Sequence, residues 1–375
     1  MPILSGPLED CLHCGSAASY GRCTIGRDDL LYRCQDCLAM DRKPLPQVVK
    51  KVIYIDQFVL SNMVKRKSDP FWGDLHARLI DLAAKNLITC PYSPIHEEES
   101  QLSVTLREGL KGMYRQLAGD DKFKCRIEIE KSQMARLLKR FMGVAESDQD
   151  PEWSDWAQAD PDHWRNYYSV HVDFGVDEES VELLRTNKVR ICEEMAEQYE
   201  EWRQNPNSFD EEVKSNLAHW RFKMTKERMW LIEWLAQRVK AIHPSETDPI
   251  SVLFKFFNSG IWTEAPFVFR WVRVWAKIAE LARNPNGPRK PQLGDFFDTQ
   301  VLSYYAAHCD AMFLDKGYCS IAADPRVRAP GPRGTRFFSE QTRDSFVEYL
   351  DGLNDAMSQE HRAALDLVYG SNCYP

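Results

Sequence analysis

Short apolar runs alternate with helix-like patterns in the part of the chain that follows residue 50. The run "KKVIYID" is apolar on both faces, which predicts a central strand of a parallel sheet that ends at Asp56. The run "LITCPYS" predicts a second strand, followed by a helix with Ser93 as its N-cap and Pro94 as its first residue. Two amphipathic segments separate the strands, "FVLSNMVKRK" and "FWGDLHARLIDLAAKN". This alternation predicts an α/β fold.

The middle of the chain, from about residue 101 to 290, has helical periodicity and no convincing strand. Its amphipathic segments are rich in tryptophan and are separated by polar loops such as "SDQDPEWSDWAQADPDHW". We therefore predict a large helical insertion. After this insertion, predicted helices and strands alternate again. They are a helix from Phe296 to His308, the strand "AMFLD", a short loop and turn, a strand near "TRFFS" and the helix "TRDSFVEYLDGLNDAM".

Composition limits the class of protein. The chain has 375 residues, 43% of them hydrophobic, which is enough for a sizeable core and for two domains. No apolar run approaches the length of a membrane span, and the beginning "MPILSGPLEDCLHC" lacks the pattern of a signal peptide. We therefore expect a soluble, cytoplasmic protein with no membrane partner. The formal net charge of −8 argues against a protein that coats nucleic acid, but it leaves a nucleic-acid enzyme open.

Five of the eleven cysteines fall in the first 37 residues, a clustering that favours a metal site over a disulfide framework. Two Cys-x-x-Cys pairs are separated by 19 residues, as in a structural zinc ribbon or finger, and they predict four zinc ligands: Cys11, Cys14, Cys34 and Cys37. His13 and Cys23 are alternative ligands; an iron site and four unrelated free thiols also stay open. Residues 1–46 form this predicted unit, which "DRKPLPQ" closes as a linker and whose folding should depend on the metal.

Carboxylates lie where several predicted elements begin or end. Two predicted strands end at acids, namely Asp56 and Asp315. Two predicted helices have acids in their first turns, namely Glu97, Glu98 and Glu99 in one and Asp295 and Asp298 in the other. Strand ends and the helix starts beside them meet at one edge of a parallel sheet, so we expect these acids to converge. Each one alone is also explained as a helix cap or a turn residue. Crowded carboxylates repel one another, and a Mg²⁺ or Mn²⁺ ion would remove that conflict and suit phosphodiester hydrolysis.

The elements that carry these acids resemble a PIN-like nuclease domain in their order. The similarity covers roughly residues 47–100 and 290–355, and it rests on "VIYID", "SPIHEEES", "DFFDTQVLSYYAAHCDAMFLDK" and "TRFFS". It implies a three-layer α/β/α sandwich around a parallel sheet, and RNA cleavage with a divalent metal held by three or four acids. Carried over by position, the implied catalytic residues and Mg²⁺ or Mn²⁺ ligands are Asp56, Glu99, Asp298 and Asp315.

Other polar residues near these motifs are assigned different roles. Glu98 is the reserve for Glu99, and Asp295 is an added acid that could support a second metal ion. Asp310 precedes its strand and is expected at the opposite end of the sheet, as a loop or cap residue. We expect His96 to be a structural residue, or to orient a metal-ligating residue by contacting it.

The sequence therefore predicts a PIN-like domain over residues 47–375, interrupted by the helical insertion, that acts as a metal-dependent endoribonuclease. We expect RNA as its substrate and a protein partner bound through the zinc unit or the insertion. A second copy of the chain is one such partner and would give a homo-oligomer. The alternatives are a non-catalytic adaptor that binds a protein or nucleic acid, and a DNA-cleaving nuclease of related fold. The sequence leaves open whether such a nuclease is constitutive or held inactive, as in a toxin or defence effector.

Overall fold

The computed structural model describes most of the chain, with gaps that include the predicted polar loop at residues 147–164. The described residues are 5–25, 29–44, 50–66, 68–102, 105–118, 121–144, 178–205, 207–222, 225–328 and 334–369. They divide into two compact units. The smaller unit combines Met1–Lys51, Ser68–Thr89 and Asp344–Pro375, and the larger combines Val52–Lys67 and Cys90–Arg343. The domain boundaries predicted at residues 46, 101 and 290 stay predictions.

The first strands of the chain form a four-stranded antiparallel sheet in the smaller unit. They are β1 (Ser5–Glu9), β2 (Tyr20–Ile25), β3 (Asp29–Cys34) and β4 (Met40–Pro44), and they lie in that order across the sheet. Strand β4 pairs with β3 along its whole length, so the predicted linker "DRKPLPQ" begins inside a strand. A small core supports the sheet and contains Cys11, Tyr20, Leu30, Tyr32 and Cys34.

A second, four-stranded sheet has the order β6-β5-β7-β8. Its strands are β5 (Lys51–Ile55), β6 (Ile88–Thr89), β7 (Ala311–Phe313) and β8 (Arg336–Phe338). Strands β5 and β7 are parallel, as are β7 and β8, with Ile55 opposite Phe313 and Phe313 opposite Phe338. Parallel pairing puts the carboxyl ends of β5, β7 and β8 at one edge, which is the arrangement that the sequence pattern predicts.

Helices make up most of the rest of the described residues. They are α1 (Gln57–Lys65), α2 (Pro70–Ala84), α3 (Pro94–Leu102), α4 (Arg107–Ala118), α5 (Arg126–Phe141), α6 (Glu178–Gln204), α7 (Phe209–Phe222), α8 (Lys226–Ile242), α9 (Pro249–Ser259), α10 (Pro266–Ala282), α11 (Asp295–Tyr304), α12 (Lys316–Ala323), α13 (Arg343–Asp355) and α14 (Gln359–Tyr369). In the described part of the predicted insertion we find helices and no strand, as expected. None of the described helices combines the length and apolar character needed to cross a bilayer.

The insertion helices of the larger unit share one hydrophobic core with the strands. Tyr54 on β5 and Met312 on β7 belong to the same buried cluster as Leu138 on α5 and Phe267 on α10. Helix α10 begins with Pro266 at its first turn and is buried along most of its length. Burial of this apolar surface is the main stabilising contribution to the unit.

Two expectations for the late segment differ from the structure. The segment predicted as a loop and turn after "AMFLD" contains α12, whose N-cap is Asp315. The predicted helix over Phe296–His308 starts at Asp295, ends at Tyr304 and continues as a short 3-10 turn at Ala306–His308. Helix α12 is only eight residues long, too short for its periodicity to stand out in the sequence.

Candidate metal centres

The four predicted zinc ligands converge in the smaller unit. The sulfur atoms of Cys11, Cys14, Cys34 and Cys37 all lie within 4.8 Å of one another. Cys11 Sγ and Cys37 Sγ are 3.7 Å apart, and Cys14 Sγ and Cys34 Sγ are 3.8 Å apart. Four sulfurs arranged tetrahedrally at ~2.3 Å from a zinc ion are separated by about 3.8 Å. The thiol geometry therefore fits a zinc ion.

The two Cys-x-x-Cys turns have the same backbone geometry. The residue after the second cysteine is left-handed in both, with φ of 75° at Gly15 and 60° at Leu38. Glycine adopts this conformation without strain, so Gly15 suits the turn, whereas Leu38 adopts the same conformation at a cost. Backbone N–H groups of the second turn, from Asp36 and Cys37, donate to Cys34 Sγ at 3.4 and 3.5 Å. Such donors stabilise a thiolate.

The alternative zinc ligand His13 has another partner. Its Nε2 lies 2.8 Å from Asp41 Oδ2, and it is not a member of the thiol group. The hydroxyl of Ser19 lies 3.3 Å from Cys34 Sγ and lowers the pKa of that thiol to about 6. The other alternative, Cys23, lies in β2, but its side chain is outside the described residues.

We predict that the full-length protein, purified without chelators, contains about one equivalent of zinc. Cys34→Ser should lose the zinc and the order of residues 5–44, because so small a sheet has little core of its own. Cys192→Ser, on α6 and not a member of the thiol group, is the matched control and should keep the zinc. Metal analysis and hydrogen exchange check both; less than about half an equivalent of zinc in the wild type would contradict the assignment.

Three of the predicted acids meet in the larger unit. One carboxylate oxygen from each of Asp56, Asp298 and Asp315 lies within 4.8 Å of the other two. The N–H of Asp56 donates to Phe313 O at 3.1 Å, which holds the end of β5 beside the end of β7. The carboxylates thus come together at the carboxyl edge of the parallel strands.

Two of these acids also cap helices. Asp56 Oδ1 accepts the N–H of Phe58 at 3.0 Å at the start of α1, and Asp315 Oδ1 accepts the N–H groups of Gly317 and Tyr318 at 2.6 and 3.1 Å at the start of α12. Asp298 lies in the first turns of α11, on the favourable side of the helix dipole. The cap interpretation therefore holds for Asp56 and Asp315, but a cap does not require three carboxylates to converge.

Glycines lie close to two of the carboxylates. A Cβ atom at Gly294 would come within 3.0 Å of Asp298 Oδ2, and one at Gly317 within 3.1 Å of Asp315 Oδ1. A side chain at either position would press on an acid of the cluster, so these glycines keep room for the carboxylates.

The electrostatics show that the cluster is uncompensated. Burial raises the pKa of Asp56 to about 7; the hydrogen bond from the Phe58 N–H opposes this shift, and the charges of Glu99 and Asp315 add to it. Burial also raises the pKa of Asp298 well above its usual range, helped by the neighbouring charges of Asp56 and Glu99. Without a cation, protons must therefore reduce the repulsion near neutral pH.

Glu99, the fourth predicted ligand, is near the cluster but is paired. Its Oε1 accepts from Lys188 Nζ of α6 at 3.0 Å, and it is not a member of the three-acid group. Its charge still acts on both Asp56 and Asp298. Glu98, its reserve, is exposed and also lies outside the group.

Asp295 has a different environment from Asp298, although both lie in the first turns of α11. It is fully buried and forms an ion pair with Arg289. Its Oδ2 accepts from Tyr199 OH at 2.8 Å and from the N–H of Gln292 at 2.9 Å, and its Oδ1 accepts from Tyr318 OH at 3.1 Å. These donors occupy both oxygens, so the structure places the proposed second-metal acid in a hydrogen-bond network outside the three-acid group.

The remaining polar residues lie where the sequence places them. Asp310 precedes β7, at the end opposite Asp315, and its Oδ2 accepts the N–H of Val52 at 2.9 Å. Ser93 Oγ accepts the N–H of His96 at 3.2 Å, and His96 Nδ1 accepts the N–H of Ser93 at 3.1 Å, which caps α3. His96 is buried against Tyr54 with ring centroids 4.9 Å apart, and burial lowers its pKa to about 3. His96 is therefore a neutral, structural residue.

Sequence reasoning missed Lys188 and Arg289 as partners of the acids. Lys188 is 89 positions from Glu99 in the chain, whereas Arg289 is only six positions from Asp295. Nothing in "GPRKP" marks Arg289 as the partner of an acid, and nothing in "RTNKVR" distinguishes Lys188.

The comparisons with family models, with curated protein sequences and with solved structures gave no match for this chain. The candidate sites are therefore defined by their geometry alone.

Proposed function

We propose that the protein is a divalent-metal-dependent endoribonuclease with a PIN-like α/β domain and a zinc-binding N-terminal unit. The observation that carries the proposal is the convergence of Asp56, Asp298 and Asp315 at the carboxyl edge of the parallel strands. The order of the acids along the chain and their positions after β5, in α11 and after β7 are those that the PIN-like resemblance implies. A three-layer α/β/α arrangement is part of the same proposal.

The donor set fits a hard cation. Three carboxylates within 4.8 Å offer only oxygen ligands, which suit Mg²⁺ or Mn²⁺ rather than zinc. When bound there, such an ion would polarise a phosphoryl oxygen and lower the pKa of a coordinated water. Asp56 and Asp315 are held in place by helix caps, so the protein supplies fixed ligands at little entropic cost. No side chain is proposed as the nucleophile.

Glu99 and Lys188 have a separate role in this proposal. The ammonium group of Lys188 neutralises Glu99 in the protein without metal, and both side chains are mostly buried. The pair leaves three carboxylates for the metal and holds one cation at Glu99, whose charge acts on Asp56 and Asp298. A lysine in that position would contact the phosphate of the substrate.

A non-catalytic adaptor is the second candidate, since Asp56 and Asp315 do serve as helix caps. A DNA-cleaving enzyme is the third. The experiment that separates them is digestion of matched single-stranded RNA, structured RNA and DNA by the full-length protein. We expect RNA cleavage that requires Mg²⁺ or Mn²⁺ and stops with EDTA. Cleavage of DNA alone would select the third candidate, and failure to cleave any substrate with either metal would select the adaptor.

A further inference from the structure

A cavity of about 440 Å³ lies in the larger unit, lined by residues of α3, α5, α6 and α11. Its size is within the range of ~300–1,000 Å³ that small-molecule sites occupy. Helices α3 and α11 also carry acids of the candidate site. Glu98 lines the cavity next to Glu99, and Phe297 lines it next to Asp298. On each of these two helices, a residue that lines the cavity is therefore the chain neighbour of a site acid.

Lys188 connects the cavity to the acids. It lines the cavity, its Nζ is 3.0 Å from Glu99 Oε1, and the same Nζ lies 4.6 Å from the centre of the Phe297 ring. The side chain is only 12% exposed, so its position is fixed by packing. A ligand in the cavity that carries a phosphate can therefore meet this ammonium group.

The rest of the lining has the chemistry that a nucleotide requires. Arg126 and Arg190 add cationic groups, although each also contacts a carboxylate on its own helix, Glu130 at 3.9 Å and Glu194 respectively. Phe296 offers a partly buried aromatic ring, on which a base can stack. The side-chain amides of Asn187 and Gln300 also line the cavity, and amides recognise the edges of bases.

We propose that this cavity binds one ribonucleotide of the substrate, beside the phosphodiester held at the three acids. Lys188 contacts its phosphate, Phe296 stacks on its base, and Asn187 and Gln300 contact the base edge. The inference rests on the proposed function for its substrate class, but binding can be measured without cleavage.

The test is isothermal titration of the full-length protein with the four ribonucleoside 5′-monophosphates, in EDTA. We expect saturable binding of at least one of them. Lys188→Gln should weaken it about tenfold or more, because one buried charge contact to the phosphate is lost. Asn187→Trp should abolish it by filling the cavity. Arg185→Gln, an exposed arginine of α6 that does not line the cavity, is the control and should bind as the wild type does.

Gln300→Ala serves as a milder variant if Asn187→Trp does not fold, and it should also weaken binding and change the preference among bases. The proposal is overturned if no monophosphate binds below about 10 mM, or if folded cavity variants bind as tightly as the wild type. If the protein cleaves RNA but binds no nucleotide, the cavity assignment is wrong and the proposed function stands. If it binds a nucleotide but cleaves no nucleic acid, the proposed function is wrong and the cavity assignment stands.

Discussion

Asp298→Asn is expected to reduce divalent-dependent RNA cleavage by at least about 100-fold. The loss of one of three metal ligands removes several kcal/mol of charge stabilisation, and each ~1.4 kcal/mol corresponds to a factor of ten in rate. The same substitution should stabilise the metal-free protein. It removes a half-buried carboxylate whose pKa is raised by burial and by the neighbouring acids, and it gives up only a helix-dipole interaction of about 0.3–1 kcal/mol.

The gain in stability should depend on pH in a defined direction. A carboxyl group whose pKa rises on folding, as that of Asp56 does from 3.8 to about 7, destabilises the folded state as pH increases through that interval. We therefore expect Asp298→Asn to raise the free energy of unfolding at pH 8 in EDTA, and to raise it much less at pH 5. Thermal denaturation at the two pH values checks this. A variant less stable than the wild type at pH 8 would show that Asp298 is a structural acid.

Asp295→Asn, three positions away on the same helix, should have the opposite effect on stability. An amide cannot replace the charge that pairs with Arg289, and its NH₂ group would face an N–H donor at either oxygen position, from Arg289 at Oδ1 or from Gln292 at Oδ2. Breaking a buried ion pair by removal of one partner costs about 3–5 kcal/mol. Chemical denaturation measures the loss, with Asp298→Asn as the matched control.

The result for Asp295 separates a structural acid from a metal ligand. If Asp295→Asn leaves stability unchanged but lowers the affinity for Mn²⁺, Asp295 is a metal ligand and the network with Arg289 contributes little. If it destabilises the protein and the remaining folded fraction binds Mn²⁺ normally, the assignment from the structure holds.

The positions of the site acids could be read from the sequence because local rules determine them. A strand apolar on both faces ends at Asp56, and parallel pairing brings that end beside the end of the strand before Asp315. The two Cys-x-x-Cys pairs likewise have a spacing that few other arrangements require. In these cases the pattern of a short segment fixes its structure.

The environment of each acid could not be read in this way. Asp295 and Asp298 look alike in "GDFFD", yet one meets Arg289, Tyr199 and Tyr318 and the other meets two carboxylates. Which side of α11 faces which neighbour depends on packing against α6 and α10, and periodicity of a ten-residue helix does not specify that packing. Helix α12 was missed for a similar reason, since only its cap at Asp315 identifies it.

The measurement that tests the central claim most directly is a crystal structure of the protein soaked in Mn²⁺. Anomalous scattering locates the ion without reference to activity. The account predicts a peak at ~2.2 Å from carboxylate oxygens of Asp56, Asp298 and Asp315, and no peak at Asp295. A well-ordered cluster with no peak at saturating Mn²⁺, or a peak that requires Asp295 in place of Asp298, would contradict it.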